Sequence, residues 1–330
     1  MMKIRARISG AGMYVPEKVV NNRDMEKFVE TSDEWIIERT GIKERRFVAE
    51  GQANSDLAVK AVERALEVAK VDPADIDLII VATVTPDMMF PSTACLIQNR
   101  IGAKKAWGFD LSGACSGFLY ALMTGAQFIE TGRHKKVLVI GSDVMSSIID
   151  FQDRATCVLF GDGAGAVLLE PTEEDNAILD SILCADGAGG TFLYMPAGGS
   201  RQPATVETVQ KRMHYVHQDG RNVFKFAVKL MADVSLELLK RHGFTPEDVK
   251  LYVPHQANLR IINAAKDRLK LKDEQVAVNI DRYANTTSAT IPSCLAEAQQ
   301  CGRLKKGDLV VLASFGAGFT WGSVLMRWGM

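Results

Sequence analysis

The sequence is poor in the features that mark several specialised classes. Its six cysteines (Cys95, Cys115, Cys157, Cys184, Cys294 and Cys301) include no C-x-x-C pair and no metal-finger spacing. His214 and His217 lie three apart but lack a third ligand, so no metal site is expected. The apolar stretch Leu78 to Val84 is far shorter than the roughly 20 residues needed to cross a bilayer. The start, MMKIRARISG, alternates basic and apolar residues and has no apolar h-region, so a cytoplasmic protein without a membrane anchor is expected. No G-x-G-x-x-G occurs either, and Gly161 to Ala166 runs into an apolar strand pattern where a nucleotide loop would open a helix. That run is expected to be a glycine-rich turn between strands.

What is present is an ordinary globular composition. The 330 residues are 47% hydrophobic and 24% charged, which excludes disorder, collagen-like repeats and coiled coil. The net charge of −1 argues against general nucleic-acid binding. Its distribution is uneven. Residues 1–200 carry 20 basic and 28 acidic groups, whereas residues 201–330 carry 19 and 12. Between Lys211 and Lys272 there are 13 basic and 6 acidic groups, a local basic surface suited to an acidic or phosphorylated partner.

Strand and helix signals alternate, which is the α/β pattern. Lys3 to Ile8 reads as a half-buried strand, and Thr31 with Glu34 reads as a capping box for a short helix ending near Gly41. Asp56 to Lys70 has helical periodicity and precedes Pro73. The order of elements then repeats. ADIDLIIVATV, a helix-like STACLIQNRIG, WGFDLSGACSG, a helix to Thr131 and VLVIGSD follow one another in the first half. EDVKLYVPHQA, LRIINAAKDRLKL, VAVNIDRYANTTS, a helix to Cys301 and VVLASFG follow in the second. Cys115 and Asn285 fall at matching strand–helix junctions. Two similar halves, 1–172 and 173–330, are therefore expected, with a site where their matching loops converge.

Cys115 sits in Gly113-Ala114-Cys115-Ser116-Gly117, whose small neighbours permit a tight turn and close approach of a substrate. At a helix start the dipole favours thiolate, the nucleophilic form. Cys95, Cys294 and Cys301 fall in helix patterns and Cys157 and Cys184 in strand patterns, so all five read as packing. His255 opens His255-Gln256-Ala257-Asn258 at an expected helix start, where a neutral imidazole is favoured. The run Phe315-Gly316-Ala317-Gly318-Phe319 ends the second repeated strand and offers backbone N–H groups to an oxyanion.

GACSGFLYAL, VPHQANLRII and YANTTSATIP, with TSDEWIIERTGIKERR, FGDGAG and FGAGFTWGS in order, resemble the β-ketoacyl-acyl-carrier-protein synthase III family. The resemblance runs almost end to end. It implies a thiolase-like α/β fold, with two duplicated halves in a five-layered α-β-α-β-α core, and a homodimer. It implies an acyltransferase that condenses a short acyl-CoA, such as acetyl-CoA, with malonyl-acyl-carrier protein to initiate fatty-acid synthesis. By the same resemblance Cys115, His255 and Asn285 are catalytic, and the N–H groups of Cys115 and Ala317 form the oxyanion hole. Thr31, Trp35, Arg39, Arg154 and Asn258 are the expected coenzyme A contacts, and Phe90 and Phe315 belong to the acyl pocket, Phe90 through the partner subunit. Lys225, Gln256, Arg260 and Arg268 are the expected carrier-protein contacts, with Asp267 where a basic residue is common. No metal or redox cofactor is implied, since the coenzyme A thioester is a substrate. A related condensing enzyme of secondary metabolism, a cysteine acyl-hydrolase and a non-catalytic acyl-binding protein are the alternatives.

Overall fold

A computed structural model describes residues 4–330, so Lys3 of the first expected strand lies outside the described residues. The first half contributes β1 (Arg5–Tyr14), the small pair β2 (Lys18–Asn21) and β3 (Glu44–Phe47), then β4 (Leu78–Ala82), β5 (Trp107–Leu111), β6 (Val137–Val144) and β7 (Asp162–Thr172). The second contributes β8 (Ile178–Ala185), the short pair β9 (Leu193–Tyr194) and β10 (His217–Gln218), then β11 (Leu251–Pro254), β12 (Leu309–Gly316) and β13 (Thr320–Arg327). One sheet has the order β1-β7-β6-β4-β5 and the other β11-β12-β13-β8.

Strands β4, β6, β11 and β12 and most of β7 are buried on both faces, which explains their nearly continuous apolar runs, whereas β5 and β8 are partly exposed. Along β4, Leu78, Ile80 and Ala82 enter the central core while Ile79 and Val81 enter the outer one. In β12, Val310 and Leu312 face the centre, and Leu309, Val311 and Ala313 face outward. The central layer consists of the helices Gly117–Glu130 and Thr290–Gln300, packed between the two sheets. Asn54–Ala69 and Thr93–Arg100 cover the first sheet outside, and Gly220–Arg241 and Leu259–Leu269 cover the second. The order is helix, sheet, helix, sheet, helix.

The duplication is visible strand by strand. β4, β6, β7 and β1 stand in the same order as β11, β12, β13 and β8. The counterpart of β5 departs from expectation: the second half keeps only the bridge of Tyr252 to Val276 there, followed by the short helix Ile280–Tyr283. Other local expectations also change. Ser32, not Thr31, caps the helix Asp33–Thr40, its side chain accepting the Trp35 N–H at 3.1 Å. Cys157 ends a short helix, Arg154–Cys157, that Asp153 caps, rather than lying in a strand. The Gly161–Ala166 run is mostly strand β7 itself rather than a turn. A side chain at Gly165 would strike Pro292 at 2.8 Å, so glycine lets the central helix approach. Cys95 and Cys301 are exposed rather than packed.

Candidate active site

Cys115 lies where β5 ends and the central helix Gly117–Glu130 begins, in a single 3-10 turn. Its loop is tied to the other half: Ser314 Oγ donates to the Cys115 carbonyl at 2.8 Å and Ser116 Oγ to the Thr320 carbonyl at 3.1 Å. A Cβ at Gly316 would fall 2.7 Å from Cys115 Cβ, so only glycine permits this approach. The approach brings the N–H groups of Cys115 and Ala317 to hydrogen-bond the sulfur. The thiolate expected from the helix start is not the resting form. Burial, with the Asp143 carboxylate adding to it, pushes the Cys115 thiol from 9.0 up to about 12. That rise corresponds to about 4 kcal/mol, whereas a helix end supplies at most about 2 kcal/mol. Burial wins.

His255 follows β11 directly, and the helix itself starts four residues later at Leu259, capped by Asn258. Burial pushes its pKa down to about 3, so the ring is neutral. Thr290, which the sequence did not single out, places its hydroxyl 2.7 Å from Nδ1 and 3.1 Å from the Thr287 carbonyl. That hydroxyl has one proton to give. Given to Thr287, it leaves the ring proton on Nδ1 and a bare Nε2 that can accept; given to Nδ1, it makes Nε2 a donor.

Asn285 is held by its backbone against the first half, its N–H donating to the Leu159 carbonyl at 3.0 Å and its carbonyl accepting from Gly161 N at 3.1 Å. Its Oδ1 accepts the Thr287 N–H at 2.9 Å, which fixes the amide and leaves its NH₂ to donate. Ala114, Ala284 and Thr287 have φ of 44°, 57° and 52°, left-handed values that cost about 1–3 kcal/mol each in non-glycine residues. They bracket both junctions, and neighbouring packing holds them there.

Two cavities meet at Cys115. A channel of about 530 Å³ is lined by Trp35, Arg39, Asn258, Arg260, His255 and Asn285 among others, and reaches the sulfur beside Phe315. An apolar cavity of about 180 Å³, lined by Met145, Ile148, Phe160, Leu193 and Met195 among others, lies beyond it. Most expected coenzyme A contacts therefore lie along one channel. The Arg154 guanidinium stacks 4.9 Å above the Trp35 ring, and Arg154 donates to the Glu30 carbonyl at 3.1 Å. Asn258 spends its amide on structure, donating to the Arg39 carbonyl at 3.0 Å, while still lining the channel. Thr31 Oγ1 is buried without a partner.

The expected carrier contacts divide. Lys225, Arg260 and Arg268 are exposed on the two outer helices, and Arg268 pairs with Asp233 at 2.5 Å. Gln256 is not a surface contact at all. It is fully buried, donating to the carbonyls of Pro254 at 2.7 Å and Ala277 at 3.2 Å and accepting from Asn279 N at 3.0 Å. It stitches residues 277–279 to the end of β11 where a fifth strand would pair. Phe90 is 84% exposed and lines neither cavity of its own chain. His214 contacts Thr208 and His217 stacks on Tyr194; among the described residues no cluster of metal-ligating side chains forms.

Comparison with known proteins follows this geometry. Residues 109–193 match the family described as 3-oxoacyl-[acyl-carrier-protein (ACP)] synthase III, and residues 239–328 match its C-terminal family. The chain is 56% identical over 326 residues to the beta-ketoacyl-[acyl-carrier-protein] synthase III of Koribacter versatilis, covering 98% of each chain. It is 58% identical to that of Solibacter usitatus, over 98% of this chain and 99% of the other. The structure of 3-oxoacyl-[acyl-carrier-protein] synthase III from Aquifex aeolicus superposes with a TM-score of 0.91 at 46% identity, covering 98% of this chain and 100% of that one. Duplicated halves with a cysteine at their junction define a condensing enzyme of the thiolase fold. Within that class, the chain belongs to the β-ketoacyl-acyl-carrier-protein synthase III family, an acyl-transferring enzyme family.

Proposed function

We propose that the chain condenses a short acyl-CoA with malonyl-acyl-carrier protein through an acyl-Cys115 intermediate, releasing coenzyme A and carbon dioxide. The observation that carries this reading is the buried sulfur, placed where a polar-mouthed channel meets an apolar cavity and under two converging N–H groups. The thiol near 12 and the imidazole near 3 make a resting ion pair unfavourable. The proton therefore passes from Cys115 to His255 Nε2 as the sulfur attacks the acyl carbon. The N–H groups of Cys115 and Ala317 receive the oxyanion. As the bond to coenzyme A breaks, its sulfur takes that proton and leaves.

Malonyl-carrier protein then brings its thioester through the same channel. The carbon–carboxylate bond breaks, carbon dioxide departs, and the electron pair collects on the thioester oxygen. The Asn285 NH₂, with His255 in its Nε2–H form, donates to that oxygen. The enolate carbon attacks the acyl carbon, and the Cys115 sulfur leaves and takes a proton from solvent. The cycle balances without a redox cofactor. The cavity of about 180 Å³ resembles in size an apolar cavity of about 150 Å³ that admits benzene. It suits primers from acetyl to about five or six carbons.

We assign carrier docking to Lys225, Arg260 and Arg268, and coenzyme A binding to Trp35, Arg39, Arg154, Asn258 and Thr31. A homodimer fits two features: β5 is an edge strand, and Met88, Met89 and Phe90, between β4 and the helix Thr93–Arg100, are exposed, the last two more than 80%. In a dimer Phe90 would serve the partner's acyl cavity. The test is intact mass after incubation with a panel of acyl-CoAs, alongside labelled carbon dioxide release from malonyl-carrier protein. One acyl group mapped to Cys115, with malonyl-dependent release, is expected; acylation that ends only in free acid overturns condensation in favour of hydrolysis. Lys225→Ala should raise KM for malonyl-carrier protein a few-fold, more weakly above about 0.1 M salt, and spare acylation.

A further inference from the structure

Asp143, near the C-terminal end of β6, is fully buried and has no part in the steps above. Its Oδ1 accepts from Thr83 Oγ1 at 3.1 Å, Val84 N at 2.8 Å and Thr85 Oγ1 at 3.0 Å. Its Oδ2 accepts from Ser288 N at 3.1 Å and Ser288 Oγ at 2.6 Å. The two threonine hydroxyls already accept other bonds, Thr83 from Asn54 Nδ2 and Thr85 from Val144 N, so their protons are free for the carboxylate. Two N–H groups and two threonine hydroxyls donate to it, and the Ser288 hydroxyl, also 2.8 Å from the Ala82 carbonyl, rests against Oδ2. Burial raises its pKa, and these hydrogen bonds offset only part of that rise.

A buried carboxylate held by neutral donors is costly, so stability alone is a poor reason for it. Its partners show another. Thr83 to Thr85 follow β4 in the first half, while Ser288 belongs to the second, three residues beyond Asn285. We propose that Asp143 is a positioning residue that clamps the Asn285 loop to the first half, holding the Asn285 amide in place for the malonyl half-reaction.

The inference rests on the roles proposed for Cys115 and Asn285, and its test separates the two ideas. In Asp143→Asn the amide oxygen can stay with the three donors after β4, which turns NH₂ toward Ser288. Ser288 Oγ can accept it, since it also lies 2.8 Å from the Ala82 carbonyl, but the Ser288 N–H is left facing another donor. Carbon dioxide release by this variant should fall about 10- to 100-fold, with acylation at neutral pH within about threefold of the parent. Ser288→Ala keeps the backbone bond to the Asp143 carboxyl, so it should lower carbon dioxide release less. Equal loss of both half-reactions in Asp143→Asn, or unchanged carbon dioxide release, overturns the proposal. If the parent enzyme forms no acyl-Cys115, the functional reading fails instead.

Discussion

The two halves share a strand order but end their third repeated segment differently. In the first, β5 pairs along its length with β4 and runs straight into Cys115. In the second, one bridge at Val276 survives, and a short helix and the side chain of Gln256 hold the chain before it reaches Asn285. In the proposed roles, the nucleophile must sit under fixed N–H groups, and a strand anchored on the sheet delivers that. The proposed donor amide needs only orientation, which the Thr287 N–H supplies at 2.9 Å. Two matching junctions would then carry separate tasks.

The sharpest way to break this division is to remove each junction residue. Cys115→Ala should abolish the acyl-enzyme yet retain some carbon dioxide release. Asn285→Ala should do the reverse, losing about 100- to 1000-fold in release while still acylating. Labelled carbon dioxide and intact mass on the same samples decide it, and joint loss in Asn285→Ala would mean the halves share one task. Gly316→Ala attacks the contact between the halves. The added methyl meets Cys115 Cβ at 2.7 Å and should slow acylation about 100-fold. Gly187→Ala, with open space around its Cβ, is the control and should acylate normally.

His255 tests the second half by pH. Its pKa falls from 6.5 in the unfolded chain to about 3 when folded, so the unfolded state binds more protons between those values. Its contribution to stability is therefore complete above about 6.5 and is lost as pH falls toward 3, at about 1.4 kcal/mol per pH unit. Chemical denaturation of His255→Asn across that range should show a shallower decline than the parent; an identical slope would mean the ring is not buried neutral. Gln256→Ala gives the smallest effect. Removing its three bonds should cost about 1–3 kcal/mol, read by denaturation, with KM for malonyl-carrier protein unchanged. A raised KM with full stability would return Gln256 to the docking surface.

Much of this arrangement was legible in sequence order, because strand periodicity and glycine-flanked junctions are local signals. Cys115, His255 and the Phe315–Phe319 run are marked by their neighbours and Asn285 by its place in the repeated order of elements, while their joint role follows from the family resemblance. Gln256 could not. It stands between His255 and Asn258, and nothing local reveals that its amide replaces strand pairing. The missing fifth strand was hidden for the same reason, since VAVNID alternates like a strand and only its lack of partners makes it otherwise. Thiolate at Cys115 was the natural expectation from a helix start, yet three-dimensional burial outweighs the dipole. Asp143 and Thr290 act through residues far away in the chain, so their roles appear only after folding.

The meeting of one channel and one small apolar cavity at a single sulfur has a consequence for the traffic of substrates under the proposed function. Both thioesters would reach Cys115 by way of Trp35, Arg39 and Asn258, and the apolar cavity of about 180 Å³ has room for an acyl chain but not for a second pantetheine arm. Coenzyme A would then vacate before the carrier's arm enters, without a ternary complex. The expected order is ping-pong: initial-rate plots at several fixed concentrations of one substrate should run parallel, and free coenzyme A should compete with the carrier for the same doorway.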